Sequence, residues 1–295
     1  MNGEKPNISS SQAGNQFLLI TGLLLTDSLH FVFARLLLPH LPPGVSAMYV
    51  LGIGTIEVGL FSLAQKNLSL RVLKKNLFFF LAIGFLVAAS TSINYEAMAF
   101  INPGVAALLA RTATLFGLAF SLFWLQERLS LPQLGGAAIA VLGVFFITFQ
   151  PGDYMRIGSL FILSSSFMYA LHAAITKRHG EGISFPNFFF FRLLCTTGFL
   201  FLFALGRQTL SWPNTSTWLL LLLVGTVDVA ISRSFYYLAL RRLKMSLHFI
   251  VLTLSPVATV LWSLLLFNAT PTFQQLLGGL AVILGVSVVT LYRNT

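Results

Sequence analysis

The sequence predicts an all-α, polytopic membrane protein. Of its 295 residues, 56% are hydrophobic and only 9% are charged, whereas a soluble domain carries roughly 25% charged residues. So few charges cannot cover a water-facing surface, which excludes a soluble enzyme and a disordered chain. The chain also divides into ten apolar stretches, each near the ~20 residues that a helix needs to cross a bilayer.

The polar N-terminus precedes the first of these stretches. We expect residues 1–16 to form a disordered cytoplasmic tail, because they are rich in Ser, Asn and Gly. The next segment is too long for the apolar region of a signal peptide and has Asp27 and His30 at its centre, so we interpret it as span 1. The ten predicted spans cover residues 17–38, 44–64, 77–100, 103–126, 131–149, 157–177, 186–206, 217–239, 245–267 and 273–292. Their short connections leave no room for a soluble domain.

The Lys and Arg residues are distributed unevenly between the two sides of this topology. Of the 18, twelve lie on the side of the N-terminal tail, three lie within spans, and only Arg35, Arg156 and Arg207 lie on the opposite side. Cytoplasmic loops carry the excess of basic residues in membrane proteins. We therefore predict that both termini are cytoplasmic, and we expect no nucleic-acid partner despite the net charge of +10.

The two halves of the chain align with each other at an offset of 142 residues. This shift superimposes polar and small residues: His30 on His172, Ser90 on Ser232, Ser92 on Ser234, Tyr95 on Tyr237, Ala97 on Ala239, Gln133 on Gln275, Gly136 on Gly278 and Gly143 on Gly285. The predicted repeats are residues 17–150 and 151–295, with five spans each. Because five is odd, the second repeat is inverted across the membrane, as in alternating-access carriers that bind substrate between their repeats. A duplication that now serves only as a scaffold is the alternative.

Several short motifs resemble the EamA-type carriers of the drug/metabolite transporter superfamily. The resemblance covers residues Tyr95 to Leu109 (YEAMAFINPGVAALL), then Glu127, Gln133, Gly136 and Gly143, and in the second half Tyr237 to Leu240, Ser255-Pro256, Gln275, Gly278 and Gly285. It implies a ten-helix carrier of small metabolites, commonly an exporter, in a bacterial inner membrane. Two positions depart from the pattern: Ala269 replaces an acidic residue after span 9, and Thr114 replaces a proline.

Ionisable residues inside the spans are the main candidates for a substrate or coupling site. An ionised side chain at the bilayer centre costs ~2.5–3.5 kcal/mol on insertion scales, so such residues are functional candidates. They are Asp27, Glu57, Glu96, Arg111, Arg192, Asp228 and Arg233. The four acids and three bases nearly balance, which favours internal pairing over a bare ion pathway.

Span 1 and span 4 carry the sharpest of these candidates. Asp27 and His30 share a helix face, and His172 has the equivalent place in span 6, so we expect the two imidazoles to approach the pseudo-two-fold axis. They would form a proton relay or a substrate-binding pair, or else pack as neutral histidines. Arg111 lies too deep in span 4 to reach the interface, and its planar fork suits a carboxylate, either Asp27 or a substrate.

Span 8 supplies the remaining candidates. Five residues separate Asp228 from Arg233, so on an α-helix we expect them to meet partners on other helices rather than each other. Arg233 lies one turn before Tyr237, and together they could line a cavity wall. Tyr95 and Tyr237 end spans 3 and 8, where interfacial aromatic belts are the alternative explanation. The candidate substrate-binding or coupling residues are therefore Asp27, His30, Tyr95, Arg111, His172, Asp228, Arg233 and Tyr237.

Other membrane residues have structural explanations. We expect Glu57 to be protonated and packed, Arg192 to extend to the cytoplasmic interface, and Phe188 to Phe191 to face lipid. The repeated glycine pairs of spans 5 and 10 should allow close helix packing.

These features favour a secondary transporter of small metabolites, with amino acids or related zwitterions as the best candidates and export as the expected direction through a central cavity. A multidrug or cationic-compound exporter is the alternative, and a channel or an intramembrane enzyme fits less well. No catalytic signature surrounds Asp27 or Asp228, and no phosphate-binding loop is present, so we expect neither catalysis nor ATP drive. We predict no metal or cofactor; the expected partners are a small-molecule substrate and the bilayer, with a homodimer as the alternative to a monomer.

Overall fold

The computed structural model describes residues 10–125, 130–148, 157–180, 182–242 and 255–292, and these residues form helices in all ten predicted spans. The first repeat comprises span 1 (Ser10–Asp27 and His30–Leu37), span 2 (Pro43–Ala64), span 3 (Leu77–Ala97), span 4 (Pro103–Ala110 and Thr112–Leu125) and span 5 (Leu131–Thr148). The second comprises span 6 (Ile157–His179), span 7 (Phe185–Gly206), span 8 (Thr215–Val224, Gly225–Ile231 and Ser232–Arg242), span 9 (Ser255–Phe267) and span 10 (Phe273–Leu291). The predicted fold class is confirmed.

The start of span 1 differs from the sequence prediction, and one short helix was not predicted. Span 1 begins at Ser10 rather than Phe17, because Ser, Gln and Ala extend the helix beyond its apolar part. A short helix, Leu70–Lys75, joins spans 2 and 3. Residues 1–9 of the predicted tail and residues 245–254, predicted to begin span 9, lie outside the described residues.

The surface of the bundle is that of a protein in lipid. Six described helices are long and apolar enough to cross a membrane, namely Leu18–Leu37, Pro43–Ala64, Leu77–Ala97, Ile157–Thr176, Phe185–Gly206 and Thr215–Tyr236. Shorter apolar helices lie in spans 5, 9 and 10. Large apolar side chains such as Phe78 and Leu265 are 85% and 72% exposed, a state that water would disfavour and lipid does not. The chain is thus a multi-pass integral membrane protein.

The glutamines that recur in the two repeats start spans 5 and 10. The Gln133 side-chain oxygen accepts a hydrogen bond of 2.8 Å from the backbone N–H of Ser130. In the second repeat, Gln275 accepts one of 3.0 Å from Thr272. In the first repeat this is half of a capping box, and in the second the box is complete, because the Thr272 hydroxyl oxygen also accepts from the Gln275 backbone N–H at 3.3 Å. The repeated glutamine therefore has a local structural role in both halves.

Contacts between equivalent residues reveal the pseudo-two-fold relation of the repeats. The hydroxyls of Thr55 in span 2 and Thr197 in span 7, which are 142 residues apart, are hydrogen-bonded at 2.9 Å. Spans 5 and 10 form the most extensive helix pair among the described residues. A Cβ added to Gly136 would lie 2.7 Å from the Gly285 carbonyl oxygen, and one added to Gly143 would lie 2.6 Å from that of Gly278. The predicted close packing is confirmed, and it is reciprocal, as the inverted symmetry requires.

The expectation that the phenylalanine run of span 7 faces lipid is wrong. Phe188, Phe189 and Phe191 are all at most 8% exposed, because span 7 packs against spans 2 and 3. Phe190 packs its ring on Gly59 of span 2. Arg192 is likewise buried, only 3% exposed, with its guanidinium 6.0 Å from the Phe189 ring centre, so it does not extend to the interface.

We predict that Gly136→Ala lowers the apparent melting temperature of the detergent-solubilised protein by several degrees. The new methyl group meets the backbone of span 10, which cannot move aside, and overpacking of this kind costs about 1–3 kcal/mol. Gly135→Ala is the matched control, because a Cβ at Gly135 has no neighbour within 4 Å. Equal thermal stability of the two variants in a thermal-shift assay would refute the close packing of spans 5 and 10.

Candidate functional site

Five of the eight predicted site residues form one charged cluster inside the bundle. Asp27 and His30 come from span 1, Arg111 from span 4, and Asp228 and Arg233 from span 8. Their side chains are 3–18% exposed, so the cluster is almost closed in this conformation. With a neutral imidazole its two carboxylates and two guanidiniums sum to zero charge.

Asp27 is the centre of the cluster. Ser255 of span 9 donates a hydrogen bond of 2.8 Å to Asp27 Oδ2. Arg111 Nη2 lies 3.5 Å from the same oxygen, and Arg233 Nη1 lies 3.6 Å from Oδ1. Because charge-assisted bonds usually measure about 2.7–2.9 Å, the hydroxyl holds Asp27 more tightly than either guanidinium does.

Asp228 forms the second anionic position. His30 Nδ1 lies 2.8 Å from Asp228 Oδ2, which is a full hydrogen bond. The other oxygen, Oδ1, is buried, makes no hydrogen bond with the described residues and has Arg233 Nη2 at 3.8 Å. Arg233 therefore lies between the two carboxylates and contacts both loosely.

Each of the three helices that contribute to the cluster is interrupted at or beside its charged residues. Span 1 breaks at Ser28 and Leu29, between Asp27 and His30. Span 4 breaks at Arg111 itself, and span 8 contains a π-helix, Gly225–Ile231. Irregular backbone at membrane depth is typical of transporter binding sites, where broken helices present polar groups to a substrate.

Span 9 compensates for the break in span 1. Thr259 donates a hydrogen bond of 2.8 Å to the Ser28 carbonyl, and the Trp262 indole donates one of 3.2 Å to the Ser28 hydroxyl. Sequence reasoning missed Thr259 and Trp262, and it treated Ser255 only as part of a motif. The available signal was the regular placement of Ser255, Thr259 and Trp262 on one face of an otherwise apolar helix.

The π-helix explains one wrong expectation about span 8. Asp228 and Arg233 do meet partners on other helices as predicted, but they also approach each other. On an α-helix a spacing of five residues turns side chains away from each other, whereas a π-helix bonds residue i to i+5 and brings them to one face. The apolar sequence gave no indication of this local geometry.

The structure describes the side chain of one of the two predicted site tyrosines, Tyr95, but not that of Tyr237. Tyr95 is 1% exposed, and its ring meets that of His30 edge-on with centroids 6.1 Å apart. It therefore borders the cluster and does not belong to an interfacial belt. Its buried hydroxyl makes no hydrogen bond with the described residues. Tyr237 lies in the helix Ser232–Arg242, but its side chain lies outside the described residues.

His172 has its contacts on spans 6 and 7, and within the described residues no contact joins it to His30. The rings of His172 and Tyr169 pack with their centroids 5.4 Å apart, and Arg192 interacts electrostatically with His172. Neither ring nitrogen makes a well-formed hydrogen bond within the described part of the chain. The position in the first repeat that is equivalent to Asp228 is Leu86. His172 therefore has no counterpart of the carboxylate that His30 contacts.

Residues 15–149 and 156–291 each match the EamA-like transporter family. Uncharacterized transporter YdfC of Bacillus subtilis (strain 168) is 28% identical over 202 residues, which cover 66% of this chain and 64% of that protein; the match thus spans just under two thirds of that relative. A protein of solved crystal structure aligns with 95% of this chain over 98% of its own length, with a TM-score of 0.65 and 19% sequence identity. This similarity shows a shared fold. Because the family match covers both halves, the chain belongs to the EamA-like transporter family.

Proposed function

We propose that the protein is a secondary transporter that exports amino acids or related zwitterions by alternating access. The observation that carries this proposal is the neutral cluster of two guanidiniums and two carboxylates at the helix breaks of spans 1, 4 and 8. Burial of four ionised groups in a membrane bundle is costly, and such groups usually mark a substrate pathway.

The guanidiniums suit the carboxylate end of a substrate. Arg111 and Arg233 both point at Asp27 from distances longer than a strong ion pair. A substrate carboxylate placed between them would receive shorter, bidentate bonds, which Arg provides better than Lys. Asp27 would keep its hydrogen bond from Ser255 during this exchange, so its charge would not be left without a partner.

The opposite side of the cluster suits an ammonium group. Asp228 Oδ1 and the Tyr95 hydroxyl are buried and make no hydrogen bond within the described residues. Buried polar atoms without partners are costly, and an ammonium donor would satisfy both. His30 already occupies the other oxygen of Asp228, which leaves Oδ1 for the substrate.

Charge balance supports a zwitterion over a purely cationic compound. The two carboxylates and two guanidiniums balance before binding, and a zwitterion keeps that balance. A cation or an anion alone would add an uncompensated charge to a site that is at most 18% exposed, and burial of an unpaired charge is unfavourable. The same pairing argues against an enzyme with a catalytic carboxylate pair, because Arg233 lies between Asp27 and Asp228.

Contacts at one end of the bundle support an alternating-access cycle. Glu96 of span 3 forms an ion pair with Arg207 after span 7, and Arg35 of span 1 donates to the Met98 carbonyl. With the termini in the cytoplasm of a bacterial cell, this end faces outward. A cavity at this end is lined in part by Pro42, Ser92, Glu96 and Arg207. We infer that outward release of substrate requires these contacts to separate.

We expect Arg111→Ala to abolish counterflow of radiolabelled amino acids in proteoliposomes while the protein remains folded. Removal of a charged hydrogen-bonding partner costs about tenfold or more in affinity. Arg71→Ala, on the exposed short helix, is the matched control and should transport normally. A cationic-compound exporter gives the opposite result, because Arg111→Ala would then keep or increase the flux of amines. Amino-acid flux in Arg111→Ala equal to that of the wild type would overturn the proposal.

Tyr95→Phe separates a substrate role of this hydroxyl from a structural one. Because the hydroxyl makes no hydrogen bond within the described residues, its removal should leave the melting temperature unchanged or slightly higher. Loss of one hydrogen bond to substrate should raise the Kd for amino acids about three- to tenfold. Titration calorimetry on both proteins measures this change, and equal affinities would exclude Tyr95 from the binding site.

A further inference from the structure

A cavity at the outer end of the bundle lies outside the charged cluster. It measures about 120 Å³ and is bordered by the start of span 2, the end of span 3 and the end of span 7. The polar side chains that line it are those of Ser92, Glu96, Arg207 and Thr209. Because one buried water needs roughly 10–15 Å³ of such space, the cavity has room for a ligand of several heavy atoms.

The hydroxyl of Ser92 borders this cavity and is available to a ligand. Ser92 is only 4% exposed, and its side chain makes no hydrogen bond within the described residues. A Cβ added to Gly44, which also lines the cavity, would lie 3.5 Å from the Ser92 hydroxyl oxygen. The equivalent serine of the second repeat, Ser234, instead donates a hydrogen bond of 2.6 Å to the Ala230 carbonyl. A buried hydroxyl without a partner is costly, so a polar ligand in the cavity would satisfy Ser92.

Glu96 and Arg207 supply one charge of each sign to the same cavity. They form an ion pair with each other, and their side chains are 26% and 59% exposed. An ion pair that water reaches contributes little to stability. A ligand that carries both charges can therefore replace this pair, with its ammonium on Glu96 and its carboxylate on Arg207.

The repeats share the backbone of this region but not its charges. The turns after spans 2 and 7 are equivalent, and Lys66 and Gln208, which occupy the same place in them, both have a φ of 54°. At the opposite end of the bundle, however, Gln65 stands at the position equivalent to Arg207, and Leu238 stands at the position equivalent to its carboxylate partner. The charged pair is therefore a feature of the outer end and not a consequence of the duplication.

We propose that the outer cavity is a second binding site for small zwitterions, of lower affinity than the cluster, through which the transported amino acid leaves. The identity of its ligand rests on the transport function proposed above. Glu96 binds the ammonium group, while Arg207 and the Ser92 hydroxyl bind the carboxylate. Binding here is weaker than in the cluster, because charges that water reaches attract each other less than buried ones.

Span 3 connects the cavity with the cluster. Tyr95 borders the cluster through its edge-on contact with the His30 ring. Ser92 lies three residues before Tyr95 on the same helix, Glu96 lies directly after it, and both line the cavity. A substrate that leaves the cluster past Tyr95 therefore meets a second pair of opposite charges at the outer end of the same helix.

The test is protection of a cysteine in the cavity of the purified full-length protein. Thr209→Cys is made together with Cys195→Ala, because Cys195 is the one cysteine of the chain. A water-soluble maleimide labels the new thiol, and mass spectrometry of the intact protein follows the rate. Labelling requires an empty cavity, so alanine at ten times its Kd should slow it about tenfold. Ethylamine and propionate, which each carry one of the two charges, should protect less than alanine.

Variants of the lining residues identify the groups that hold alanine. Glu96→Gln and Arg207→Gln should each raise the alanine concentration that half-protects Thr209→Cys by at least about threefold. Ser92→Ala should do the same and leave the melting temperature unchanged, because its hydroxyl makes no hydrogen bond within the described residues. Arg71→Gln, an exposed arginine of the short helix after span 2, is the matched control and should be protected as well as the parent.

Arg111→Ala separates the outer cavity from the cluster. When this substitution is added to Thr209→Cys, alanine should still protect, because the outer cavity does not use Arg111. Loss of protection would assign the effect to the cluster, which overturns the second site while the transport function stands. Protection in a protein that shows no amino-acid counterflow would overturn the transport function and support the second site. Equal labelling with and without alanine, or no labelling at all, would overturn the second site.

Discussion

The carboxylate of Asp27 is the point on which this molecule depends. Ser255, Arg111 and Arg233 reach it from spans 9, 4 and 8, so one side chain of span 1 joins four helices from both repeats. The two guanidinium contacts are long, while the hydroxyl contact is short. A network with one tight and two loose bonds keeps the helices together and leaves its cationic groups able to exchange partners. This combination is what the proposed function needs, because the site would have to hold the helices together and also bind an ionic substrate.

The broken helices follow from the same constraint. A continuous α-helix in lipid satisfies its own backbone and offers a substrate nothing but side chains. Here the breaks at Ser28, at Arg111 and in Gly225–Ile231 surround the charges, and Thr259 and Trp262 satisfy the polar groups of Ser28. Tightly packed glycine pairs of spans 5 and 10 lie elsewhere in the bundle. Close glycine packing also borders the irregular backbone, since a Cβ added to Gly225 would lie 2.8 Å from the Ile53 side chain of span 2.

Much of this arrangement is predictable from the sequence. Hydropathy locates the spans, and the offset of 142 residues reveals the repeats, because lipid imposes a length on every helix and a duplication keeps its register. Because ionisable residues are scarce within the spans, Asp27, Arg111, Asp228 and Arg233 are predictable as site candidates. The contact of Asp228 with Arg233 was not predictable, since a π-helix has no sequence pattern distinct from an α-helix. For His172 the symmetry of the sequence does not extend to its partners, because Leu86 stands where the first repeat would need an acid equivalent to Asp228.

In the proposed function the cluster recognises both charges of a zwitterion at once. Titration calorimetry of the wild-type protein with an amino acid, its decarboxylated amine and its deaminated acid tests this most directly. We expect the amino acid to bind and each truncated analogue to bind at least about tenfold more weakly, because each leaves one pair of buried charges unmatched. An amine that binds as tightly as the amino acid would contradict it.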